Sequence, residues 1–154
     1  MNANMKISDR KITKEMNIPI PIENVWEKWT THEGLQTFFG EDNRIELYPG
    51  GAYEIYFLMD EPYGRRGSEE CKILSYLPQK MLSFSWNVPP SIPEIRDSEY
   101  KTWVVIEFEK LDDYNTKLIL THLGWPDDSS WNPVFEYFDH AWVTVFDWLL
   151  KSIN

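Results

Sequence analysis

Histidines, carboxylates beside apolar surface, and aromatics recurring at every second position are the side chains of this 154-residue chain that could do chemistry. His122 lies in the run Thr116-x-Leu118-x-Leu120-x-His122-x-Gly124, whose alternate side chains share one face if the run is a strand. A neutral imidazole there donates one hydrogen bond and accepts one, so it could orient a ligand's hydroxyl or carbonyl. The commoner alternative is a structural histidine satisfied by a backbone or loop partner. Asp139 flanks an apolar helical arc; at a cavity rim its pKa would rise toward acid–base use, and otherwise it is an edge carboxylate in water. Cys71 is the only cysteine, so it makes neither an internal disulfide nor a multi-cysteine zinc site, and a strand thiol is most often buried and inert. His32 and His140 complete the histidines, with no i, i+4 His pair and no HxxE pattern, so no metal site is expected. His140 is expected to pair with Glu136 in solvent. No Gly-x-Ser-x-Gly elbow marks a serine nucleophile. Gly50-Gly51 and Gly64-Arg65-Arg66-Gly67 lack phosphate-loop spacing and read as turns with solvated arginines.

The aromatic pattern is the richer signal. Alternation puts Tyr53, Ile55 and Phe57 on one face, with Leu82, Phe84 and Trp86 on the same side. Thr102, Val104, Ile106 and Phe108 join them, as do Leu118, Leu120 and His122. Phe138, Trp142 and Phe146 of a closing helix face this set. Such walls could enclose a ligand chamber with Tyr53 Oη, indole N–H groups and His122 as polar hooks. They could equally interdigitate into a close-packed core, and alternation alone leaves both open.

These side chains need elements to position them. Ile12, Met16 and Ile18 share a parity, predicting a strand over 11–18 that Pro19 and Pro21 stop. Val25, Trp26 and Trp29 predict a short helix over 22–29, and Thr30 with Glu33 a capping box that starts a second one carrying Leu35, Phe38 and Phe39. Period two then runs from Arg44 to Leu123, with strands expected at 52–59, 67–77, 80–86, 101–110 and 116–123. Residues 87–100, with Pro89, Pro90 and Pro93, read as an exposed loop. Residues 130–153 form a helix whose apolar arc is too broad for a surface helix, with Tyr137, Trp148 and Leu150 at its edges. Strands followed by one long helix give an α+β fold, the helix lying on one face of the sheet. Residues 1–10 are expected to be a flexible tail before a single domain over 11–154.

The formal net charge of −10 disfavours nucleic acid and anionic membrane surfaces, which need clustered Lys and Arg. Eight each of Trp, Tyr and Phe make disorder implausible. No apolar run reaches the ~20 residues of a membrane span, and the first eighteen residues lack a signal-peptide core. A soluble, cytoplasmic protein with no membrane insertion is the expectation.

Several local patterns, taken in order, point further. They are Pro21 before Val25-Trp26 and Trp29-Thr30, then Phe39-Gly40, then Pro49-Gly50-Gly51-x-Tyr53. Pro78 follows with Leu82-x-Phe84-x-Trp86, then the His122 run and Trp142 in the last helix. The chain in this respect resembles the START-like, or birch-pollen-allergen-like (SRPBCC), superfamily, and within it the bacterial proteins related to the activator of the heat-shock-protein-ninety ATPase. The resemblance implies a helix grip: a curved antiparallel sheet of about six or seven strands around a long C-terminal helix, with two short helices after the first strand. It departs from the family at Ala141-Trp142, where Gly-Trp is usual, and at Phe38, where Trp often stands.

The resemblance implies a cavity that binds a small hydrophobic molecule non-covalently, without cofactor or metal. Its candidate contacts are Tyr53, Ile55, Phe57, Phe84, Trp86, Val104, Ile106, His122, Phe138, Trp142 and Phe146. Two other readings stand beside it: a co-chaperone-like contact with a chaperone ATPase, and a cyclase- or hydrolase-like enzyme using His122 or Asp139. The opposite sheet face, with Tyr56, Trp103, Glu54 and Glu107, suits a homodimer or client contact.

Overall fold

The computed structural model describes residues 5–153. Strand β1 (Ile12–Ile18) is followed by helices α1 (Ile22–Thr30) and α2 (His32–Gln36). Strands β2 (Asp42–Ile45), β3 (Tyr53–Tyr56), β4 (Ile73–Leu77) and β5 (Met81–Trp86) come next. A short helix α3 (Pro93–Arg96) precedes β6 (Thr102–Asp112) and β7 (Asn115–Leu123), and helix α4 (Asn132–Lys151) closes the chain. This is the α+β helix-grip arrangement; where one curved sheet of about six or seven strands was expected, seven strands are divided between two sheets. Five form one antiparallel sheet in the order β1-β7-β6-β5-β4, and β2 and β3 form a separate hairpin. The hairpin is joined to the main sheet through the Ala52–Lys72 bridge and the bond from Ile73 N to Gly51 O at 2.8 Å.

The alternation does its work in β6 and β7. Thr102, Val104, Ile106 and Phe108 are buried, and so are Leu118, Leu120 and His122, while their neighbours in sequence are not. Helix α4 covers this face with Val134, Phe138, Trp142, Val145, Phe146 and Leu149. The edges of its arc are less covered than its breadth predicted, Tyr137, Trp148 and Leu150 being exposed. At the end of β7 the chain turns with Gly124 at φ 87°, where a Cβ would run into the Trp103 ring.

Local chemistry moves several expected boundaries. The cap of α2 is Thr31, whose Oγ1 accepts from Gly34 N at 2.9 Å; Thr30 instead donates back to Trp26 O, so the Thr30–Glu33 box does not form. The strand expected at 67–77 begins only at Ile73, because the Glu69 carboxylate gathers the amides of Gly64, Arg66 and Gly67 into a turn. The strand expected at 52–59 contracts to Tyr53–Tyr56. Residues 87–100 are more ordered than an exposed loop: α3 starts on Pro93, and Val88 and Tyr100 are buried.

Residues 1–10 were expected to be a tail; 1–4 lie outside the described residues, and the rest dock. Ser8 N and Oγ both donate to Trp125 O at 2.8 Å, and Asp127 N donates to Lys6 O at 2.8 Å. Arg10 reaches Asn132 Oδ1 at 2.7 Å and lies 4.0 Å over the Phe135 ring. The unpaired backbone at 125–127 supplies the partners that hold this segment. Among the described residues no helix is long and apolar enough to cross a membrane.

Candidate functional site

His122 sits at the end of β7 with no solvent exposure, enclosed by the rings of Trp125 and Phe138 at 4.4 and 5.0 Å. Trp142 Nε1, which can only donate, lies 3.0 Å from His122 Nδ1, so Nδ1 is the accepting nitrogen. The proton therefore rides on Nε2 and is given to Thr102 Oγ1 at 2.6 Å, and Thr102 in turn donates to Trp86 O at 3.2 Å. Burial drives the imidazole pKa down to about 3, so the ring is neutral at pH 7. Both ring nitrogens are spent inside the protein, which makes His122 a structural tie between sheet and helix.

The expected chamber around it is filled. Tyr53 donates to Trp29 O at 2.9 Å and stacks on Phe84 at 4.2 Å. Ile55, Val104 and Ile106 have no exposure, and Phe146 is buried on the sheet side of α4. These residues, with His122, form packed core and do not line the open space. Alternation reports which side of a sheet a residue occupies, and is silent on whether it meets another side chain or a void.

The open space lies to one side, between α4 and the end of the sheet. It is a cleft of about 530 Å³ whose floor is Phe39, Trp86, Phe138 and Trp142. One wall is the α4 flank, with Tyr137, His140, Ala141, Thr144 and Trp148; the outer lip is Phe57, Gly67, Asn87, Pro89 and Pro90. Of the expected contacts, Phe57, Trp86, Phe138 and Trp142 are thus brought together, Phe57 being 44% exposed at the lip. The floor is a continuous aromatic surface: Phe39, Trp86 and Trp142 stand 5.6 to 6.0 Å from one another. Sequence reasoning missed Phe39, the two prolines, and the helix flank. The arc's breadth predicted a mostly covered helix, yet Tyr137 and Trp148 at its edges are exposed.

The other candidates resolve elsewhere. Asp139 does not line the cleft; it accepts from Lys14 Nζ at 2.8 Å on the β1 side, and that bond holds its carboxyl below the usual range. Of the two alternatives for Asp139 the structure therefore gives the edge carboxylate, not the cavity-rim acid or base. His140 faces the cleft, and no ion pair between it and Glu136 forms among the described residues. Cys71 is fully buried, and burial pushes its thiol up to about 12. His32 Nδ1 is bonded to Asn43 Oδ1 at 2.7 Å. Among the described residues no cluster of three or more His, Cys, Asp or Glu could hold a metal ion. On the outer face, Tyr56 and Tyr63 both donate to Glu54 Oε1, at 2.7 and 3.0 Å, so Glu54 is buried where an exposed carboxylate was expected.

Comparison with known proteins agrees with this architecture. The family described as Activator of Hsp90 ATPase homolog 1-like protein matches residues 19–152. No curated protein matches the chain. Among solved structures, a protein from Mesorhizobium loti is similar with TM-score 0.73 at 19% identity, covering 94% of this chain and 96% of that one. The structure described as the Aha1 dimer from Colwellia psychrerythraea is similar with TM-score 0.68 at 16% identity, covering 93% and 95%. An HSP90 activator from Plasmodium falciparum is similar with TM-score 0.66 at 18% identity, covering 88% and 89%. At these identities the likeness is one of fold.

Proposed function

The chain belongs to the Activator of Hsp90 ATPase homolog 1-like family, and from that premise we propose that it binds a small hydrophobic molecule non-covalently in the cleft beside α4. The observation that carries this reading is the cleft itself: about 530 Å³ of space over an aromatic floor, within the size range of small-molecule sites. Left to water alone, that aromatic surface would be costly. Asn87, His140 and Thr144 supply the few polar groups at its margin that would orient a guest. His122 and Asp139, the two residues the enzyme reading relied on, are engaged away from it. Native mass spectrometry and a thermal-shift screen with neutral aromatic compounds test the proposal. A bound species and a raised melting temperature are expected; no bound species and no shift across the screen would sink it.

A second reading is a contact with a chaperone ATPase or a second copy. It is supported by the two named neighbours, an HSP90 activator and a dimer, and by the exposed run Phe57-Leu58-Met59 beside the cleft. Exposed apolar side chains in sequence at a loop tip suit a partner's groove. Addition of the protein to an Hsp90 ATPase assay should change the rate, and an unchanged rate removes the chaperone half of this reading. Light scattering decides the dimer.

A further inference from the structure

The lip of the cleft is built from two loops. Residues 57–70 contribute Phe57 and Gly67, and residues 87–99 contribute Asn87, Pro89 and Pro90. Val88, Pro89 and Tyr100 are buried and anchor the ends of the second loop; between them Ile92 and Ile95 are half-buried against the core, and the Arg96 side chain is turned inward. That stretch holds no strand, only the single turn of α3.

A polar cluster ties it to the first loop. Arg96 donates from Nε and Nη2 to Gly64 O at 3.1 and 2.8 Å, from Nη1 to Val88 O, and from Nη2 to Glu69 Oε1 at 3.2 Å. Glu69 in turn accepts from the amides of Gly64, Arg66 and Gly67, and Asn87 Nδ2 donates to Glu69 O at 3.0 Å. Burial works to raise the Glu69 pKa, and these amide bonds overcome it, leaving the carboxyl below its usual range. The Arg96 and Glu69 side chains are 6% and 2% exposed, so the pair is shielded from salt. A second pair, Arg65 with Asp97 at 3.1 Å, ties the same loops in solvent. Glu99, at the far end, sits at φ 66°, a left-handed conformation that a non-glycine residue seldom adopts.

We propose that residues 90–99 form a flap over the cleft, and that Arg96, latched on Glu69, sets how large a guest the cleft admits. The inference rests on the cleft being a binding site. With the latch closed, both halves of the lip are one rigid piece, and the space beneath holds compact, neutral, largely aromatic molecules. Releasing Arg96 lets the loop beyond the buried Pro89 shift, from Pro90 onward, without breaking a β-ladder, because the flap carries none. The latch is thus specific: it acts on guest size and residence time, and leaves the sheet and α4 untouched.

The test uses the whole chain and two neutral fluorescent probes, N-phenyl-1-naphthylamine as the compact guest and Nile red as the larger one. Arg96→Lys keeps the charge and loses the fork; the double variant Glu69→Gln with Arg96→Met removes both charges, so that neither is left buried alone. In both variants the release rate of the compact probe should rise about tenfold, and the affinity ratio should shift toward Nile red. Amide exchange over residues 92–99 should quicken by about tenfold or more, with β6 and β7 unchanged. Folded variants with wild-type release, ratio and exchange would overturn the latch. Should the wild-type protein take up neither probe, the cleft reading falls, and the exchange measurement alone decides the flap. If the double variant does not fold, Arg96→Lys carries the decision on the same readouts.

Discussion

Trp142 stands between two unlike regions. Behind it, toward the sheet, its indole N–H feeds His122, which feeds Thr102, and each polar atom in that chain has a partner. In front of it, Tyr137 and Trp148 are 46% and 39% exposed on the same helix. The composition of the two regions is alike; what differs is the wall opposite. Behind Trp142 the facing wall is strand, and alternation delivers a side chain into every gap. In front, β5 ends at Trp86 and the chain runs into Val88-Pro89-Pro90. Proline has no N–H for a ladder, so the sheet stops there and the outer flank of α4 is left without a strand to pack on. The cleft is the consequence of where pairing ends.

The largest effects should come from the packed side. Trp142→Ala removes a large buried side chain and leaves His122 Nδ1 without its donor, so a loss of about 3–5 kcal/mol is expected in urea unfolding. A loss near that of a surface substitution would mean the two regions are not different in kind. The next effect is a pH dependence. His122 has its folded pKa depressed from 6.5 to about 3, so the unfolded chain binds a proton that the folded chain refuses. Its contribution is complete above the unfolded value, and is lost as pH falls below 6.5. Stability should drop by up to about 1.4 kcal/mol per pH unit through that window. His122→Asn should flatten that slope, whatever it does to stability at pH 7. An unchanged slope would place the titrating group elsewhere.

The same contrast explains what the sequence disclosed. The strand parities of β6 and β7, the two short helices, and the broad arc of α4 were legible because hydrophobic periodicity is a direct image of one-sided burial. The Thr31 cap, the Glu69 turn and the docking of residues 6–10 were not, because each rests on a polar group choosing among several nearby partners. The cleft fell between these cases. Trp86, Phe138 and Trp142 were named correctly as facing inward, yet so were Tyr53, Phe84 and Ile106, and period two cannot separate a lining residue from a filling one. The flap was the least visible feature. Arg96 and Glu69 are 27 residues apart in sequence, and their pairing depends on two loops that no periodic pattern describes.

The smallest effects on stability should appear at the cleft, and there they become the most informative. Trp148→Ala trims a side chain already exposed to water, so its cost to folding should stay below about 1 kcal/mol. Because Trp148 stands on the wall of the cleft, the same change should weaken the binding of a compact aromatic probe by about tenfold, or 1.4 kcal/mol. Asp139→Asn is the matched control on the other flank of α4. It breaks a partly exposed pair with Lys14, worth about 1 kcal/mol or less, and should leave probe affinity where it was. Isothermal titration of both variants against the parent separates the regions directly. A probe that loses affinity equally in the two, or in neither, would show that it does not sit against Trp148. The wall of α4 would then be exposed for some other partner.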